Sequence, residues 1–289
     1  MTRTRRTDPS TPVHAHASID AFRSGPVASG RHEIDLGGSL LDLLVEDRGA
    51  RHTLVAFRGD VAPDDPVPAF PDDALTRRPD FNLVALADPA LASHDVRTAW
   101  YLGSRGLGPL PDRLEAVVRH ALAALGTPPE RTVLAGIDEG AFPAIAMAGR
   151  LPDSTALVGD PRTDLLAAPE EPLRDYLVEC HGARSATPQL RIRGSFIEDL
   201  DLAAKHAEGL PFDLVVLVSG ERAETPAVVA ALRGDPRLFV GVAEDPASGS
   251  PAPLDDALAR AAGALLAPRP SERRLRRHGI RLASSDDLA

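Results

Sequence analysis

The segment Val133-Leu-Ala-Gly136-Ile137-Asp138-Glu139-Gly140 reads as a strand, a sharp turn and the start of a helix, with a glycine two residues to either side of a carboxylate. In the G-x-S-x-G form of this frame the central serine is thrust out of a strained turn as a nucleophile, and the glycines let the helix close onto the strand. Here the central residue is Asp138. An aspartate at such a turn can attack carbon covalently, but the resulting ester needs a base-activated water to break it. Other acids stand just past apolar runs: Asp60 after Phe57, Asp88 after Leu86, Asp160 after Val158, Glu221 after Val218, and Glu244-Asp245 after Val242. Arg58, Arg162 and Arg222 lie close to them in sequence. If the runs are parallel strands, these acids meet at one rim and raise one another's pKa unless arginine or a cation relieves them. Asp60, Asp138 and Asp160 then define an alternative oxygen-ligand site for Mg²⁺ or Ca²⁺. Aspartate is also an ordinary residue of turns and helix caps, which is where strand ends lie.

Acyl transfer would need an imidazole. The body of the chain carries His32, His52, His94, His120, His181 and His206, and none follows the last apolar run. His94, just beyond the Asp88 strand, is the candidate substitute base; His278 lies in the C-terminal tail. Cys180-His181 are neighbours on a predicted helix, so their side chains diverge. His14-x-His16 is a loose metal pair at best. Gly103-x-x-Gly106-x-Gly108 neither ends a strand nor opens a helix, so it is no dinucleotide fingerprint. Trp100 and Tyr101 are placed either at the pocket mouth or as packing anchors.

The elements that must hold these residues alternate. Leu41–Glu46, Asp47-Arg48-Gly49 and Thr53–Phe57 read as strand, turn and strand. Phe81–Leu86, Thr132–Ala135, Thr155–Val158, Asp213–Val218 and Leu238–Val242 read as further strands. Asp112–Leu125 carries Leu114, Val117, Val118, Ala121, Leu122 and Leu125 on one helical face, and Gly126 closes it. Helices are also predicted over Ala141–Arg150, Pro226–Leu232 and Leu254–Leu266. This predicts an α/β fold: a mostly parallel central sheet between two helical layers, with an antiparallel hairpin at its N-terminal end. Residues 1–30 are read as a disordered lead, 31–267 as one domain, and 268–289 as a basic and polar tail.

The 289 residues carry 32 Lys+Arg against 42 Asp+Glu, a net charge of −10, which argues against a general nucleic-acid binder. One cysteine allows no internal disulfide. No apolar run approaches the roughly 20 residues of a membrane span, and the N-terminus has no secretory signal core. A cytoplasmic location is expected.

Asp88-Pro89, Trp100-Tyr101-Leu102-Gly103-Ser104, the Gly136–Gly140 turn with Phe142, and Asp160-Pro161-Arg162-Thr163-Asp164 resemble the α/β-hydrolase-like proteins of bacterial envelope-glycan loci. That group is related to accessory secretion proteins acting on glycosylated adhesins. The resemblance spans about residues 50–265. It implies a serine at the turn, an acid after the next-to-last strand and a Gly-His-x-Pro-Pro-like segment after the last. This chain departs from it: Asp138 replaces the serine, Glu221 lies near the acid position, and Ser250 stands where the base histidine belongs. The oxyanion-hole positions are Glu139 and the Gly59/Asp60 turn, all but the glycine anionic, which opposes a developing oxyanion. The resemblance therefore implies a catalytically degenerate hydrolase-like protein, a pseudoenzyme binding or scaffolding in envelope polysaccharide or glycoconjugate metabolism. Its partner would be a protein or a glycan, with no cofactor, no nucleic acid and self-association left open. The alternatives are a hydrolase with Asp138 as covalent nucleophile and the carboxylate metal site.

Overall fold

Short aliphatic runs form the strands because β-branched side chains fit a pleated surface covered on both sides. In the computed structural model, which describes residues 10–62, 65–165, 170–189, 200–219, 226–245, 248, 250, 252–267 and 269–283, they are β1 (Val13–His16), β2 (Gly30–Asp35), β3 (Leu40–Glu46), β4 (His52–Phe57) and β5 (Phe81–Ala87). They continue as β8 (Thr132–Ile137), β9 (Thr155–Gly159), β10 (Asp213–Ser219), β11 (Leu238–Ala243) and β12 (Arg281–Leu282), with a small hairpin of β6 (Gly103–Ser104) and β7 (Gly108–Pro109) outside the main sheet. The sheet order is β1-β2-β3-β5-β4-β8-β9-β10-β11-β12. Every pair from β5 to β11 is parallel, while β2, β3 and β5 run antiparallel to one another in turn.

Alternation along each strand feeds two cores. Val55 and Phe57 of β4 with Leu214, Val216 and Val218 of β10 face one layer, and Leu54, Ala56, Val215 and Leu217 face the other. The first layer holds α1 (Ile19–Ser24), α2 (Pro89–Ser93), α3 (Pro111–Ala124), α4 (Ala141–Arg150) and α5 (Glu170–His181); the short helix α6 (Leu202–Lys205) and α7 (Ala227–Ala231) lie on the same side. The second holds α8 (Leu254–Ala264) and α9 (Glu272–Arg277), whose Ala257, Leu258, Ala261 and Leu275 are buried. Helix α3 starts at Pro111, carries Asp112 in its first turn, and buries Leu114, Val117, Val118, Ala121 and Leu122 as the apolar spacing predicts.

The antiparallel hairpin lies at the N-terminal end as expected, but β2 and β3 make it; residues 41–57 do not. The turn at Asp47–Gly49 carries the chain over the end of β5, where the Asn82 side chain accepts hydrogen bonds from the Arg48 and Ala50 amides at 2.9 and 3.0 Å. Strand β5 then fills the place between β3 and β4. The C-terminal segment is anchored to the body. Leu275 is buried, Arg281 forks onto Glu244 with two bonds of 2.8 Å, and β12 pairs with β11.

Residues 13–24, expected as part of a disordered lead, form β1 and α1. Polar composition hid two anchors. Phe22 is fully buried, and His16, His32 and His120 meet its ring edge-on at centroid distances of 5.1, 5.4 and 5.1 Å. His32 Nε2–H donates to the Ala28 carbonyl at 2.8 Å, which leaves its Nδ1 to accept from His16 Nε2–H at 2.9 Å. Burial holds both imidazoles below the ordinary histidine pKa, with neighbouring His14 adding to the effect. A depressed folded-state pKa means the stability is present above pH 6.5 and lost as pH falls through the lower value. The carboxylates nearby do not compensate: Asp20 is exposed and Asp35 caps the Gly37 and Gly38 amides. Acidification from pH 7 to 5 is therefore expected to release β1, with its amides exchanging roughly tenfold faster after correction for intrinsic rates. Hydrogen-exchange mass spectrometry of residues 13–24 measures this, and equal protection at both pH values would refute it.

Candidate functional site

After β4 the chain turns toward β5, and after β8 it turns toward β9 on the other side. Between the carboxyl ends of two such neighbouring strands a crevice opens, the place where open α/β sheets hold ligands. A cavity of about 520 Å³ lies there, lined by Arg58, Gly59 and Asp60 after β4, by Gly136 near the end of β8 and Asp138 and Glu139 after it, and by Asp72, Asp73 and Thr76 of the β4–β5 connection.

Three glycines permit this geometry. A Cβ on Gly136 would stand 2.0 Å from the Gly140 carbonyl oxygen, one on Gly140 would stand 2.6 Å from the Phe57 oxygen, and one on Gly59 would stand 2.7 Å from the Gly140 amide. The backbones of β4, β8 and the start of α4 are thus in contact with no side chain between them. The turn they squeeze puts Asp138 at φ +50°, a left-handed conformation that a side chain adopts at a cost of about 1–2 kcal/mol. The strand–sharp turn–helix frame read from the sequence is present, with its strained residue at its centre.

Around Asp138 the charges are mixed. The Glu139 carboxylate pairs with Arg162 Nη1 at 3.0 Å. Burial pushes Glu139 above the ordinary carboxylate pKa, Arg162 pulls against this, and the charges of Asp138 and Asp60 push further up. Asp60 pairs with Arg97 at 2.5 Å. Arg58 donates to Asp65 at 3.1 Å and to the Phe70 carbonyl at 3.3 Å. Asp73 and Thr76 cap one another, the Thr76 amide donating to Asp73 Oδ1 at 2.8 Å. Sequence reasoning missed Arg97, Asp72, Asp73 and Thr76; the length of the Pro/Asp-rich β4–β5 connection was the available signal, since connections of that size commonly cover a site.

The other expected rim acids have structural duties. Asp88 is buried: its Oδ1 accepts from the Ala90 amide at 2.9 Å as the cap of α2, and its Oδ2 accepts from the Tyr101 amide at 2.6 Å. Burial raises its pKa to about 6. Asp160, at φ +41°, accepts from the Ser219 amide at 3.0 Å, and Glu244 holds Arg281. Among the described residues no three His, Cys, Asp or Glu side chains are placed to hold a metal ion. The carboxylate site of Asp60, Asp138 and Asp160 is therefore corrected: Arg97 takes Asp60, and a backbone amide takes Asp160.

Trp100 and Tyr101 pack in the core and also line a small cavity of about 30 Å³ with Phe57, Phe142 and Met147. Both are buried with positive φ, and the Tyr101 hydroxyl donates to the Leu86 carbonyl at 2.8 Å while accepting from the Arg58 amide at 3.2 Å. The Gly103-x-x-Gly106-x-Gly108 stretch is the β6–β7 hairpin. Ser250 is exposed in a turn where its carbonyl accepts from the Asp245 amide at 2.8 Å. Glu221 and Arg222 lie outside the described residues.

The described imidazoles are housed at several places. His14, His16, His32 and His120 form the N-terminal cluster; His52 stands at the opposite end of β4 from the cavity. His94 is the C-cap residue of α2 and its charge is felt by His181, whose ring is 3.0 Å from the Tyr176 hydroxyl. His206 packs on Phe212 and beneath Gly149, and His278 against Gly263 of α8.

No family model and no curated protein matches the chain. Among solved structures it is similar to a puromycin hydrolase mutant complexed with PGG, at 16% identity over 91% of this chain and 40% of that one, with a TM-score of 0.51. It is also similar to the glycosylation associate protein (Gap123) complex from Streptococcus agalactiae (16% identity, 73% of this chain, 41% of that chain, TM-score 0.49) and to the capsule O-acetyltransferase of Neisseria meningitidis serogroup A in complex with caged gadolinium (17%, 67%, 76%, 0.45). The fold is α/β-hydrolase-like. No helix among the described residues is long and apolar enough to cross a membrane.

Proposed function

We propose that this chain is a catalytically degenerate α/β-hydrolase-like protein that binds or scaffolds a protein or glycan partner in envelope polysaccharide or glycoconjugate metabolism, in the cytoplasm. One observation carries the reading: Asp138 occupies the strained position of the nucleophile turn, with the carboxylates of Glu139 and Asp60 acting on the same space. A tetrahedral oxyanion formed there would have the Asp138, Glu139 and Asp60 carboxylates beside it, with Arg162 and Arg97 offsetting only the last two. The serine at position 250, where the resemblance expects the base histidine, supports the same reading, as does the engagement of the His16, His32, His120 and His181 rings with other side chains. The glycan setting rests on the sequence motifs around Asp88, Trp100 and Asp160.

The strain at Asp138 favours a second reading. A non-glycine residue held at φ +50° in a cavity wall is the kind of position where function maintains a costly conformation. Its carboxylate would attack an alkyl carbon, the leaving group would depart with the bonding pair, and water would later cleave the ester. The experiment treats purified protein with short acyl esters, a fluorophosphonate probe, haloalkanes and epoxides, alongside Asp138→Asn. The expected result is no turnover or labelling above the Asp138→Asn variant. A substrate-derived mass on the Asp138 peptide would establish the second reading instead.

A further inference from the structure

At the amino-terminal ends of β4 and β8, roughly 20 Å from Asp138 across the length of a six-residue strand, a second and larger groove of about 1020 Å³ opens. Arg51, His52, Arg119 and Arg131 line it, and Glu130 is its one acidic residue. Arg119 is occupied by Glu115 and the Arg150 carbonyl. Arg51 and Arg131 are exposed and their guanidinium groups make no hydrogen bond or ion pair among the described residues, although both charges are felt by His52. This is unusual in a chain with ten more acids than bases, where Arg58, Arg77, Arg78, Arg97, Arg162 and Arg281 each hold a carboxylate.

His52 is 9% exposed and packs edge-on against Phe81, and its ring makes no hydrogen bond among the described residues. The other charge it feels is Asp80, which Arg78 already holds. His52 lines the groove with ring nitrogens open to water and feels the charges of both Arg51 and Arg131, so an anion bound there would meet all three groups. The lining also carries apolar Leu122, Leu151, Pro128, and Leu266, which at 37% is one of two exposed large hydrophobic residues among those described.

We propose that this groove binds a phosphate ester, its phosphate held by Arg51, His52 and Arg131 and its organic group resting on Leu122, Leu151 and Leu266. A phosphate presents three oxygens, enough for two guanidinium forks and an imidazole at once, whereas a carboxylate presents two. The site is separate from the Asp138 cavity and does not rest on the function proposed for it.

The test titrates the full chain with phenyl phosphate, inorganic phosphate and benzoate, by calorimetry and by melting temperature. Phenyl phosphate is expected to bind more tightly than inorganic phosphate, and benzoate at least about tenfold more weakly than phenyl phosphate. Both arginines are exposed, so the Arg51→Ala/Arg131→Ala double variant keeps its unliganded melting temperature and loses phenyl phosphate affinity by about a hundredfold. His52→Gln loses less, because glutamine can still donate. Leu266→Ser weakens phenyl phosphate and leaves inorganic phosphate unchanged. No binding at millimolar phenyl phosphate, equal binding of benzoate, or unchanged affinity in the double arginine variant would each overturn the proposal.

Discussion

Replacing Gly136 by alanine is expected to cost at least about 4–5 kcal/mol, enough to leave most molecules unfolded. The added methyl group would stand 2.0 Å from the Gly140 carbonyl oxygen and 2.2 Å from its carbon. Neither is the end of a flexible side chain that could swing aside. Relief requires α4 to move off β8, and α4 buries Phe142, Ala144, Ile145, Met147 and Ala148 in the larger core. Overpacking that displaces backbone is at the severe end of small-to-large changes. Gly126→Ala is the control. Gly126 has φ +64° but nothing within 4 Å of its would-be Cβ, so its substitution costs only the conformational penalty of about 1 kcal/mol. Urea unfolding of the two variants measures the contrast. Similar midpoints would mean that the turn is not held by interlocked backbones.

The second large effect concerns Asp88 and pH. Its folded pKa, about 6, lies above the ordinary 3.8, chiefly through burial, with the Ala90 and Tyr101 amides opposing. The sign follows: between these values the folded state binds more protons than the unfolded state, so stability from this group is full at low pH and falls as pH rises toward 6. The full difference corresponds to about 3 kcal/mol. Asp88→Asn cannot ionise, so the variant is expected to lose this slope between pH 4 and 6. It also gives up one acceptor to the Tyr101 amide, a loss of about 1 kcal/mol at low pH. Denaturant titrations from pH 4 to 7 give the difference between wild type and variant, in which the opposite titration of His16 and His32 cancels. Parallel curves would show that Asp88 is ionised throughout. The clamp matters because Trp100 and Tyr101 stand in succession at φ +50° and +58°, and Asp88 holds the amide between them.

These two sites show how far local sequence reaches. Helix α3, helix α4 and strand β10 were legible within a residue or two, because burial on one face or on both writes a period into the chain that survives any tertiary arrangement. The turn at Asp138 was legible for the same reason: glycines at 136 and 140 are required wherever a helix folds back onto its own strand. Strand β1 was not, since the alternation of Val13-His-Ala-His16 is only four residues long with weakly apolar members, and the strand is held by Phe22 and by imidazoles from β2 and α3. Nor was the pairing of β3 with β5 in place of β4, because strand neighbours are chosen by contacts distant in sequence.

Asp88 and Asp138 put the division most plainly. Each is an aspartate just past a buried strand, and residue type and spacing distinguish them only by the glycines around one of them. Strand order decides the rest. Strand β8 ends beside β4 where the chain departs in opposite directions, so Asp138 faces a cavity; β5 ends under α2 and the Trp100–Tyr101 turn, so Asp88 is buried among amides. Amino-acid sequence determined which segments are strands and helices, because burial acts on near neighbours. Which acids meet, which are capped and which face open space was decided only when distant strands came together.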